Sequence, residues 1–186
     1  MKALTRYTSP HLLWQKVEGP QPSFTLSMGE DLVATLTFLP AGETLAQLDT
    51  ADGSWTLKQR GFPAETITLR EIHSRVNLAI LHRHALGHGK LVFLSGDAYA
   101  WVHLKGLEQG GAFLSSDGLP LVHTRTIQPH LHTGLREDAA TAEVEVGHCP
   151  HSHATPLLLA GISWYLLQLD AQVDKGELAA EMSLRM

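Results

Sequence analysis

The sequence predicts a mainly β protein: about twelve antiparallel strands closed into a barrel that encloses a hydrophobic C-terminal α-helix. Three observations predict it. Between Leu12 and Gly147, about a dozen short runs alternate apolar and polar residues, at the spacing of a sandwich or barrel. Glycine and aspartate turn signals split these runs. From Leu157 to Leu169 apolar residues then fill every helical face, so a helix there must be covered all round. One such helix and many strands are accommodated most simply by closing the sheet, which also removes its edges.

The strands read as follows. "DLVATLTF" sets Leu32, Ala34, Leu36 and Phe38 against Val33, Thr35 and Thr37. "ETITLR" puts Ile67 and Leu69 on one side. "AYAWVHL" sets Ala98, Ala100, Val102 and Leu104 against Tyr99, Trp101 and His103, and "TAEVEV" sets Ala142, Val144 and Val146 against Glu143 and Glu145. Period two marks half-buried strands. Turns are expected at Met28-Gly29-Glu30, Asp52-Gly53, Gly87-His88-Gly89, Gly96-Asp97, Gly110-Gly111 and Asp117-Gly118, where glycine supplies positive φ. Thr155 is a good N-cap, and Pro156 suits the first helical turn. The helix is expected from Pro156 to about residue 170, with 171–186 as a short, weakly amphipathic tail carrying Leu178, Met182 and Met186. Trp14, Trp55, Trp101 and Trp164 read as core, each ring N–H needing one partner. No Pro/Ser-rich linker interrupts the chain, so 1–186 reads as a single domain.

Composition narrows the function classes. Net charge is −5 and no basic block is present, which argues against nucleic acid as a partner. The single cysteine allows no intrachain disulfide and fits a reducing compartment. "MKALTRYTSPHLLWQK" has no apolar stretch long enough for a signal peptide, and the run Leu157–Leu169 falls short of the about 20 residues that span a bilayer. A cytoplasmic, non-transmembrane protein is the expectation.

Many short strands followed by one hydrophobic C-terminal helix resemble the tubby C-terminal-like superfamily, which includes the tubby domain, the phospholipid scramblases and the LURP-one-related proteins. "DGSWTLKQRGFPAETITLR" is similar to its strand pair in which a glycine turn precedes an aromatic, and "LSGDAYAW" and "LSSDGLPLV" are similar to its later hairpins. The resemblance spans Phe24 to Leu169. It implies a barrel around a central helix, with no lumen left for substrate. It also implies a non-catalytic binding or scaffold role, with a membrane lipid headgroup or another protein as partner. Tubby domains hold phosphoinositide headgroups on a basic patch outside the barrel, and no Lys/Arg cluster in this sequence matches it. Scramblases carry a calcium-binding segment, and no D-x-D-x-D-G loop occurs here. The resemblance therefore transfers no functional residue.

The remaining chemistry lies in the twelve histidines. His148, Cys149, His151 and His153 in "HCPHSH" offer the N and S ligands that zinc or another transition-metal ion accepts; the alternative is a polar loop leading into the helix. His130, His132 and Glu137 in "PHLHTGLRE" fit the H-x-H-x4-E of cupin metal sites, so the competing class is a cupin-like metal-dependent enzyme. A second cupin segment is not recognisable. In "LHRHALGHGK", His82 and His84 share a strand face and His88 follows in the turn, an exposed hairpin able to respond to pH. Gly89-Lys90 lacks the other residues of a phosphate loop, and no G-x-S-x-G elbow appears. No catalytic residue is assigned.

Overall fold

The computed structural model describes residues 11–41, 44–61, 65–84, 87–104, 109–127, 141–147 and 155–184, the last eleven of these as backbone only. Twelve strands precede one helix: β1 (Leu12–Val17), β2 (Ser23–Met28), β3 (Asp31–Phe38), β4 (Leu45–Thr50), β5 (Gly53–Arg60), β6 (Thr66–Glu71), β7 (Asn77–Arg83), β8 (Gly89–Phe93), β9 (Ala98–Leu104), β10 (Gly110–Leu114), β11 (Pro120–Ile127), β12 (Thr141–Val146) and α1 (Pro156–Leu184). Each strand pairs antiparallel with its sequence neighbours, and β1 closes the barrel on β12 through Leu12↔Val144 and Trp14↔Ala142. Strand number, pairing sense and closure are as the alternation predicts.

The alternation itself is broken where the ladder slips. Leu26 pairs with Ala34 but Ser27 pairs with Leu32, so Val33 is an extra residue in β3. A bulge of this kind shifts the phase of the strand. Val33 and Ala34 are both buried and Leu32 is exposed, correcting the expected face of Leu32 and Val33. Gly110-Gly111 is likewise not a turn but the start of β10. A Cβ on Gly111 would lie 2.1 Å from the Trp101 ring, and one on Gly110 2.1 Å from the Thr124 carbonyl oxygen. Glycine is used here for close approach within a sheet, the other reason for finding it in a strand. Four of the five remaining predicted turns carry left-handed glycines, at Gly29, Gly87, Gly96 and Gly118, whereas Gly53 opens β5 at φ 154°.

The helix starts as expected: the Leu158 N–H donates to Thr155 Oγ1 at 3.3 Å. It then runs past residue 170 to Leu184, longer than predicted, because 177–184 (ELAAEMSL) are mostly strong helix formers that outweigh the single Gly176. Every residue from Leu157 to Leu169 is buried. Trp164 stacks on Trp14 of β1 with ring centroids 6.1 Å apart and meets the edge of Phe24 of β2, while Tyr165 stacks on Phe38 of β3. Gly161 brings α1 so close to β4 that a Cβ there would lie 2.3 Å from Leu48. Ser163, with Gln168 one of two polar residues in the run, shares a hydrogen bond with Thr124 of β11 and donates to the Ala160 carbonyl. The indole nitrogens of Trp14, Trp101 and Trp164 are buried without a hydrogen-bond partner among the described residues, so the partners expected for them are not met there.

Candidate functional site

Strand alternation places the most prominent exposed charges on the outer face of β5–β8. In β5, Trp55 and Leu57 are buried, so Lys58 and Arg60 point outward, and both are exposed. The register then aligns Arg60 with Thr66, Thr66 with His82, and His82 with Lys90. Strands lie about 4.8 Å apart, so Arg60, His82 and Lys90 occupy one row about 14 Å long, with threonine at its second position. Lys58 lies two residues along β5 beside Thr68, and Arg70 of β6 lies beside Thr56, its Nε donating to Asn77 Oδ1 at 3.0 Å. Among the described residues no carboxylate lies within ion-pair distance of Lys58, Arg60, Arg70, His82 or Lys90. The outer face of β11–β12 is built the other way, with Arg125 on Glu143 and His123 facing Glu145 at 3.8 Å. Charge there is neutralised pair by pair, whereas on β5–β8 it accumulates with one sign.

The inward phase of the same strands ends in a second group of charges. Arg83 closes β7 and is almost fully covered; it donates to Glu65 Oε2 at 3.2 Å and to Asp170 Oδ1 of α1 at 2.5 Å. His103 Nδ1 of β9 lies 3.4 Å from Asp170 Oδ2, and the His103 backbone N–H donates to His88 Nδ1 at 3.2 Å. The guanidinium is held between two carboxylates through its two terminal nitrogens, while its buried Nε has no hydrogen-bond partner among the described residues. This group fixes the far end of the buried helix against β7 and β9. On the β1–β3 side, a cavity of ≈ 150 Å³ opens between Lys16, Pro22, Phe24, Phe38, Gln168 and Gln172. Small-molecule sites occupy about 300–1,000 Å³.

His148, Cys149, His151 and His153 lie outside the described residues, as do His130, His132 and Glu137. His82, His84 and His88 are described: they are exposed on the β7–β8 hairpin, whose turn is closed by the His84 N–H donating to the His88 carbonyl at 2.8 Å. Among the described residues no group of three or more His, Cys, Asp or Glu side chains is placed to hold a metal ion. The cation row was missed by the sequence reading because its members come from four strands. The signal was present as "LKQR", "TLR" and "GHGK", but only the register makes them neighbours.

Fold and surface together define a class: a closed antiparallel barrel of twelve strands with one C-terminal helix and, among the described residues, a cationic outer face on β5–β8. Compared with known protein families, curated proteins and solved structures, the chain gives no match. Among the described residues no helix is long and apolar enough to cross a membrane.

Proposed function

We propose that the protein is a non-catalytic binding barrel of the tubby/LURP-one-like kind, acting in the cytoplasm, whose outer face on β5–β8 takes the anionic headgroup of a membrane lipid. In this reading the helix fills the barrel. Its burial from Leu157 to Leu169, and its contacts with β1, β2, β3, β4, β7, β9 and β11, support that arrangement. A filled barrel leaves no lumen for a substrate, and the outer surface is then where recognition belongs.

The observation that carries the reading is the row Arg60, Thr66, His82, Lys90 with Lys58 and Arg70 beside it. Arginine offers a planar fork to phosphate oxygens, lysine a point charge and threonine a hydroxyl donor. Juxtamembrane cations contribute about 1 kcal/mol each at an anionic leaflet. Reversing two of them therefore removes enough to weaken binding by well over tenfold. The test is co-sedimentation with vesicles of neutral phosphatidylcholine, alone or doped with a polyphosphorylated inositol lipid. The expected outcome is binding to doped vesicles only, falling with salt, and lost in Arg60→Glu/Lys90→Glu. Equal binding to both vesicles, no binding to either, or an unaffected double variant overturns the reading.

A further inference from the structure

The opposite chemistry gathers at the end of the barrel where the helix begins. Three successive turns at that end, β6–β7, β8–β9 and β10–β11, each hold a large apolar side chain in solvent: Val76, Leu94 and Leu119 are 46%, 73% and 60% exposed. These turns are pinned by hydrogen bonds. The Leu119 N–H donates to Ser115 Oγ at 3.2 Å, and the Ser115 N–H donates to the Leu119 carbonyl at 2.9 Å. The Leu94 N–H donates to the Leu78 carbonyl at 2.9 Å. In the β6–β7 turn the Glu71 carboxylate accepts from the His73 and Ser74 N–H groups, and the Ser74 side chain first, then these backbone bonds, hold its carboxyl below the ordinary carboxylate range. Arg75, next to Val76, sits at φ 57°, a left-handed conformation that a residue with a Cβ adopts only when its surroundings impose it.

Among the described residues the same end is acidic: Glu30, Asp31, Asp52, Glu71, Asp97 and Asp117 lie on or beside its turns, against Arg70 and Arg75. An anionic lipid surface is repelled there, and apolar tips among carboxylates fit a cationic partner with an apolar stripe. Spacing narrows the partner further. Alternate strand gaps put successive turns about 10 Å apart. Seven residues of α-helix advance about 10.5 Å, so positions i and i+7 match the spacing of two neighbouring tips along the rim. We propose that this end of the barrel docks a basic amphipathic helix of a partner protein, independently of the lipid-binding face.

The probe is a labelled helical peptide of about 20 residues, with leucine at every seventh position and lysine flanking it, titrated with the full chain at about 0.15 M salt. Saturable binding is expected, weakened about tenfold or more both by Leu94→Ser/Leu119→Ser and by Asp97→Lys/Asp117→Lys. Arg60→Glu/Lys90→Glu should leave it unchanged, so failure of the lipid reading and failure of this one are separable. Arg60, Lys90, Leu94, Asp117 and Leu119 are exposed and Asp97 is half-buried, and a thermal melt of each variant checks folding. Absence of saturable binding overturns the proposal, as does undiminished binding to Leu94→Ser/Leu119→Ser or equal binding of a glutamate-for-lysine peptide. So does self-association, or vesicle binding, that disappears in Leu94→Ser/Leu119→Ser, because the surface then belongs to a second copy or to a membrane.

Discussion

Tyr165 carries a phenol that is kept from ionising. The residue is fully buried, its hydroxyl donates to the Thr44 carbonyl at 2.5 Å, and its ring stacks on Phe38. Burial pushes its pKa far above the ordinary value of 10.0. The unfolded chain releases this proton near pH 10 and the folded chain does not, so the associated stability is complete below about pH 10 and lost as pH rises above it. In an alkaline titration followed by tyrosinate absorbance, one of the three tyrosines should ionise only as the protein unfolds. Three tyrosines titrating together near pH 10 in folded protein would refute this. That Tyr165 belongs to an all-apolar helix face was legible in the sequence. Its partner was not, since Thr44 lies 121 residues away. The tryptophans follow the same division: their burial could be read from size and pattern, but not the lack of a described partner for three of their ring nitrogens.

Among the elements, what could be read depended on how local the cause is. Thr155 as N-cap and the turn glycines Gly29, Gly87, Gly96 and Gly118 act within a few residues, and they appear where the sequence places them. The β3 bulge and the glycines of β10 are set by the neighbouring strand, so the sequence of one strand misreads them. Gly111 must be small because the Trp101 ring occupies the space over it. Gly111→Ala is therefore expected to destabilise by about 1–3 kcal/mol, although alanine is no worse a strand residue. In a domain of this size that is a fall in Tm of roughly 2–4 °C per kcal/mol, measurable in a thermal melt. An unchanged Tm would show that Trp101 moves aside at no cost. The helix extension to Leu184 belongs here too: a lone Gly176 costs only about 1 kcal/mol, which the flanking helix formers outweigh.

For the whole molecule, strand count, closure and the terminal helix were legible, because each rests on a repeated pattern. The outer cation row was not, because Arg60, His82 and Lys90 become neighbours only through the register. The filled-barrel reading makes its own prediction. Trp164 is wholly buried between Trp14 and Phe24, so Trp164→Asp places a charge where nothing solvates it. No soluble folded protein is expected from Trp164→Asp, whereas Trp164→Phe should fold with a lowered Tm. A cooperative melt of soluble Trp164→Asp would count against a helix inside the barrel. The placement of that helix also governs how the chain is born. Every strand leaves the ribosome before α1 does, and β1 waits for β12, the last strand made, to close the barrel. The apolar strand faces that Trp164, Tyr165 and their neighbours cover are thus bare throughout most of synthesis. A nascent chain in this condition is exposed to aggregation until α1 supplies the missing core.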